Sequence, residues 1–81
     1  MKKPPVLVAV EWLDAVTNPN WRPLADVTAD KTPLARNIEY GYIVRRDAKV
    51  LVLGHGYCTD TGDVSSTTAI PIPWIKKVRR V

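Results

Sequence analysis

Ile38, Tyr40, Tyr42 and Val44 alternate with Glu39, Gly41, Ile43 and Arg45, and a short polar link, Arg46-Asp47-Ala48-Lys49, joins them to a second apolar run, Val50 to Tyr57. Successive side chains on a strand point to opposite faces. The alternation therefore predicts a strand with one apolar face, and two such runs across a short polar link predict a β-hairpin. Tyr40 and Tyr42 are expected to be mainly buried, with their hydroxyls at the rim. Gly41, Gly54 and Gly56 fall inside these strands, where they predict bulges or a tight bend that lets a small sheet curl.

The remaining segments extend the pattern. Val6 to Leu13 is rich in β-branched and aromatic residues and follows Pro4-Pro5, which favour an extended approach. It reads as strand one, with Val6, Val8, Val10 and Trp12 on one face and Trp12 in the core. From Asp14 to Asn37 the periodicity stops, and Asn18-Pro19-Asn20, Arg22-Pro23 and Lys31-Thr32-Pro33 divide the segment into turns. A loop of this length is uncommon in a compact domain and is often a binding loop. Trp21 and Leu24 are expected to tack it down, and a short turn of helix or an extra strand pair inside it stays open.

Cys58 to Ser65 reads as a polar turn, Ser66 to Ile72 as strand four, and Pro73-Trp74-Ile75 as a 3₁₀-like turn. The segment Lys76 to Val81 is too short for a stable helix and reads as an edge strand. The expected fold is all-β: a small, closed, five-stranded barrel with a long loop after strand one and a 3₁₀ turn before the last strand. Residues 1–81 form one domain, with residues 1–5 a flexible N-terminal segment. No internal repeat or domain boundary is visible.

A domain of 81 residues buries only about 60% of its unfolded surface, so its core is thin and a homo-oligomer interface is one way to supplement it. Cys58 is the only cysteine, which excludes an internal disulfide and a CxxC site and fits a reducing compartment. The apolar run Val6 to Val10 is too short for a signal-peptide core or a membrane span. The cytoplasm is the expected location, with no membrane partner. A net charge of +4 and a pI near 9.5 favour encounter with nucleic acid, nucleotides or acidic protein surfaces without choosing among them.

No chemistry-bearing constellation emerges. His55 and Cys58 are the only residues that could pair as base and thiolate, and with Asp60 and Asp63 they offer mixed metal ligands. Neither the paired spacing of a structural zinc site nor the full ligand set of a calcium loop is present. The expectation is no catalysis, no metal and no cofactor. Arg45, Arg46, Lys49, Lys76, Lys77, Arg79 and Arg80 could form one basic face for phosphates, with steep salt dependence. Lysines and arginines on an edge strand also prevent sheet-to-sheet aggregation, which is the commoner role. Trp21 and Trp74, beside prolines and outside regular strands, are the expected surface anchors.

Ile70-Pro71-Ile72-Pro73-Trp74-Ile75 resembles the Ile-Pro-x-x-Tyr-Val segment that leads into the last strand of SH3 domains, and the order of segments resembles the SH3-like barrel. The third strand begins Lys49-Val50-Leu51, without the tryptophan that polyproline-binding SH3 domains place there. The loop after strand one mixes Arg22, Lys31 and Arg36 with Asp14, Asp26 and Asp30 where those domains are acidic. The resemblance thus carries over Pro71 and Trp74 alone, as groove residues. Val10-Glu11-Trp12-Leu13-Asp14-Ala15 and the later Ile-Pro-x-x-Trp-Ile-Lys-Lys-Val are similar to short proteins of tailed bacteriophages. That resemblance implies an accessory role, such as blocking a host defence or other host protein.

Together these readings predict a binding module whose partner is a protein, docked through Trp21, Arg22, Pro71 and Trp74. The alternative is nucleic-acid or nucleotide binding through the basic residues.

Overall fold

The computed structural model describes residues 2–81. Five strands follow in chain order: β1 (Leu7–Asp14), β2 (Ala35–Arg46), β3 (Val50–Tyr57), β4 (Val64–Pro71) and β5 (Ile75–Arg80). A six-residue helix, α1 (Leu24–Ala29), lies within the β1–β2 connection, and a 3₁₀ turn at Ile72–Trp74 precedes β5. Every pairing is antiparallel, in the order β4-β3-β2-β1-β5. The chain is therefore all-β, with the long excursion after the first strand, the hairpin and the terminal strand where the sequence puts them. The closed barrel is not formed: β4 and β5 are the two edges of the sheet and do not pair with each other.

The open sheet nevertheless curls over itself. Val8 and Val10 of β1 share one buried cluster with Leu51 and Leu53 of β3 and Ile70 of β4, each at most 2% exposed. Trp12, Ile43, Ile72, Ile75 and Val78 pack around it. Burying each aliphatic side chain favours the fold by roughly 1.5–3 kcal/mol relative to exposure, so the cluster is a small reserve against chain entropy. The 3₁₀ turn carries the chain from Pro71, opposite Val50 beside the hairpin, to Ile75, opposite Trp12. The Ile72 N–H donates to the Lys49 carbonyl at 3.0 Å and ties that crossing down.

Two expectations about faces are corrected. Ile38 and Tyr40 are 53% and 56% exposed, not buried. The register sets Gly41, Glu39 and Asn37 opposite Val8, Val10 and Trp12, and directly opposed residues share a face. The inward face of β2 is therefore the set that reads as polar, continued by Ile43. The bulges also lie elsewhere: the ladder shifts between Ile43 and Arg45 and, on the β5 side, between Glu11 and Trp12, so Val44 and Lys76 are the extra residues. Gly54 serves close packing instead, since a Cβ there would overlap Val64 Cγ1.

The turns have local causes. At the hairpin the Asp47 carboxylate accepts the Lys49 and Val50 N–H groups at 2.8 and 2.9 Å, which holds it below the usual carboxylate range. Between β3 and β4 the Gly62 N–H donates to the Cys58 carbonyl at 2.7 Å, with Gly62 at φ 79°, a conformation glycine adopts without a Cβ clash. β4 starts at Val64, inside the segment read as turn, and β2 starts at Ala35, three residues before the alternation begins. Of the N-terminal segment, Lys2 N–H donates to the Thr59 carbonyl and the Tyr57 hydroxyl to the Lys3 carbonyl; Met1 lies outside the described residues.

Candidate interaction surface

Residues 15–34 leave the sheet as an arm. Every one of them is exposed, and α1 buries nothing. Trp21 and Leu24, expected to pin the loop to the body, are 102% and 77% exposed. The principal extents of the molecule, 59 × 22 × 21 Å, and its radius of gyration of 17.0 Å record the projection, because a compact chain of this length has a radius of gyration near about 12 Å.

The arm is ordered from within. Asn18 Oδ1 accepts the Asn20 N–H at 3.0 Å across Pro19, and the Pro23 carbonyl accepts the first helical N–H groups, from Asp26 and Val27. Beyond the helix Asp30 is the hub. It accepts the Thr32 N–H at 2.8 Å and the Thr32 hydroxyl, and it pairs with Arg22 Nη1 at 2.9 Å, bracing the two ends of α1. These donors, the Thr32 hydroxyl foremost, lower its pKa to about 2.

Where the arm meets the sheet, Trp12 and Trp74 stack with centroids 6.3 Å apart and planes at 10°. Trp74 remains 42% exposed. The Trp12 Nε1–H is buried without an acceptor among the described residues. Two adjoining depressions flank this stack and share Leu13 and Lys76. One, of about 400 Å³, is lined by Trp12, Leu13, Ile38, Arg36 and Lys76 with Glu11 and Asn37. The other, of about 300 Å³, lies between Leu34, Pro73 and Trp74 at the arm's root.

Of the predicted protein-binding residues, Trp21 and Arg22 stand on the arm and Trp74 on the turn below it. Arg22 is engaged in the Asp30 brace, and Pro71 ends β4 opposite Val50, at the other end of the 3₁₀ turn from Trp74. Sequence reading missed Leu13, Ile38 and Arg36 as groove residues. It also missed Val27, although Trp21, Leu24 and Val27 recur every third residue between prolines, a signal that could have marked them.

The basic residues are dispersed. Lys77 and Arg79 lie opposite Glu11 and Ala9 on one face of the sheet, whereas Arg80, opposite Val8, lies on the other. Lys76 sits in the bulge beside the depressions, and Arg45, Arg46 and Lys49 are at the hairpin. Arg45 and Arg79 have carboxylate neighbours, Asp47 at 3.8 Å and Glu11 at 4.0 Å.

His55 and Cys58 are committed to different partners. His55 Nδ1 lies 2.8 Å from the Tyr40 carbonyl, which can only accept, so Nδ1 carries hydrogen and Nε2 faces the Thr68 hydroxyl at 2.9 Å. At Gly41 a Cβ would crowd β3 and not this ring, lying 3.0 Å from the Gly54 carbonyl oxygen and from Leu53 Cβ. Hydrogen bonds from Thr61, side chain first, lower the pKa of the exposed Cys58 thiol. Among the described residues no group of three or more His, Cys, Asp or Glu could hold a metal ion, and no helix is long and apolar enough to cross a membrane.

The architecture and the surface together define a small antiparallel β-sheet domain bearing an apolar arm. No family model, curated protein or solved structure matches the chain.

Proposed function

We propose that the chain is a non-enzymatic protein-binding module that engages its partner through the arm and the exposed edge of Trp74. The observation that carries this reading is Trp21, 102% exposed on an arm that buries no residue. Large aromatic side chains left in water at no structural benefit to their own chain are the usual anchors of interfaces. The order of elements, which resembles that of SH3 domains without closing into their barrel, supports it as well: five antiparallel strands, a long loop after the first and a 3₁₀ turn carrying Pro73 and Trp74 at the loop's root. The work belongs in a reducing compartment such as the cytoplasm, where the exposed Cys58 stays a thiol. A host protein bound by a phage accessory protein is one partner of this class.

Affinity capture with the purified chain, in the presence of nuclease, tests the reading. Partner recovery should survive nuclease and fall at least tenfold for Trp21→Ala and Trp74→Ala, while Lys77→Ala with Arg79→Ala leaves it intact. Recovery abolished by nuclease and by the basic-residue variant, and untouched by the tryptophan variants, would overturn it in favour of nucleic-acid binding through charge.

A further inference from the structure

We infer that the arm's partner is a second copy of this chain, each arm of a two-fold dimer lying in the Leu13–Ile38 groove of the other. The inference rests on reading the arm as a docking element and adds its occupant.

Surface area is the first argument. A folded monomer of 9.1 kDa exposes about 4,900 Å² on the size scaling of compact proteins, whereas this chain exposes 6246 Å². The excess is roughly 1,300 Å² per chain, or about 2,700 Å² for a pair, measured against that scaling. A specific interface needs about 1,200–2,000 Å² in total, and obligate homodimers bury about 2,000 Å² or more. Two copies that cover each other's arms therefore have enough area for a stable dimer.

Charge supplies the second argument. Within residues 15–34, Arg22 and Lys31 balance Asp26 and Asp30, so the arm is neutral while the whole chain carries +4. With Asp30 paired to Arg22, Asp26 at the start of α1 is the acidic group without an ion-pair partner among the described residues. Arg36 and Lys76, at the rim of the groove, are cations likewise without an ion-pair partner among the described residues, and the groove's one carboxylate, Glu11, already has Arg79 at 4.0 Å. The arm's apolar set, Trp21, Leu24 and Val27, matches Leu13 and Ile38, which share the outer face of the sheet in the groove, and Asp26 matches its rim.

Reach agrees. Twenty residues going out and back extend at most about 33 Å from their roots, and the 59 Å long axis combines that projection with the sheet, whose twelve-residue β2 spans about 40 Å. Every residue of the arm is exposed and none belongs to the core cluster, so the arm is free to lie against the groove of a second copy. Such an exchange is isologous and closes on itself, so it ends at two copies.

Sedimentation equilibrium on the full chain from 1 to 200 µM tests the inference. The expected result is a monomer–dimer equilibrium with a limiting mass of twice 9.1 kDa. Asp26→Lys should weaken it at least tenfold, and Asp26→Lys combined with Lys76→Glu should recover most of that loss. Trp21→Ala should give a monomer whose circular dichroism matches the wild type, since Trp21 supports no core contact. A wild-type monomer throughout the range, or a dimer indifferent to Trp21→Ala, overturns the second-copy assignment. A monomer that still captures a partner protein through Trp21 sinks this inference alone; one in which Trp21→Ala alters no interaction sinks the binding reading with it.

Discussion

Trp12, on β1, and Trp74, on the 3₁₀ turn, are separated by more than sixty residues of chain and lie nearly parallel, with ring centroids 6.3 Å apart. The stack fastens the crossing segment between β4 and β5 to the first strand, and its two members each line one of the two depressions at the arm's root. The packing of the 3₁₀ turn on β1 and the candidate docking surface thus share a residue pair. An aromatic pair of this kind is worth about 0.5–1.5 kcal/mol beyond its area burial. A double-mutant cycle of Trp12→Leu and Trp74→Ala in urea unfolding should give a coupling near about 1 kcal/mol. Additivity within error would mean that the rings only adjoin.

Close approach of β3 and β4 sets a second expectation. A methyl group at Gly54 would overlap Val64 Cγ1 and lie 3.3 Å from Val44 Cγ1. Both neighbours are β-branched and stiff at χ1, so Gly54→Ala should destabilise the domain by about 1–3 kcal/mol, the usual range for overpacking. Val64→Ala should be mild alone and should restore most of the loss in the double variant. Thermal unfolding of the three proteins measures this, and an equally unstable double variant would place the cost in the backbone of Gly54 instead.

The succession of strands along the chain was legible because the hairpin, the proline-bounded strands and the terminal basic strand each carry local signals. The inward face of β2 was not. Ile38 and Tyr40 read as core by alternation, but β1 commits Val8, Val10 and Trp12 to the interior, and the ladder then turns Gly41, Glu39 and Asn37 inward beside them. That choice resides in pairing register, a relation between two distant segments that no single segment encodes. The arm failed for a related reason. Trp21 is exposed as its place beside prolines predicts, but neither it nor Leu24 tacks the loop to the body, because nothing local in residues 15–34 states whether the sheet offers them a contact. Closure of the barrel was misjudged because nothing in β4 or β5 states whether two edges meet.

Asp30 offers a pH test of the arm alone. Its carboxyl is lowered from the ordinary value of 3.8 to about 2 by the Thr32 hydroxyl, Arg22 and the Thr32 N–H, in that order. A group depressed in the folded state favours that state fully above its unfolded value, and its contribution disappears as pH falls through the folded value. The arm's order should therefore persist at pH 4 and dissolve as pH approaches 2, while the sheet's amide pattern stays. Carboxyl-carbon NMR titration of Asp30, with the Thr32 amide as a second reporter, should show this midpoint. Thr32→Val and Arg22→Gln should each move the midpoint up, and an Asp30 midpoint near 3.8 in the wild type would show that the brace does not form in solution.

Removal of the arm separates folding from binding. Asp14 and Ala35 are paired at the last rung of the β1–β2 ladder, so an Asn-Gly turn joining them would replace residues 15–34 with the connection antiparallel strands favour. No buried residue is lost, because the excised segment contains none. Shortening a twenty-residue loop to two lowers the entropy cost of closing it by about 2 kcal/mol on the logarithmic loop scaling, which opposes any loss of contacts at Leu34. The shortened chain should keep the sheet's circular dichroism, unfold cooperatively at an equal or higher temperature, and sediment as a monomer. Loss of cooperative unfolding would show that the arm is part of the fold, and the long projection would then have to be read as a structural element and not as a limb offered to another molecule.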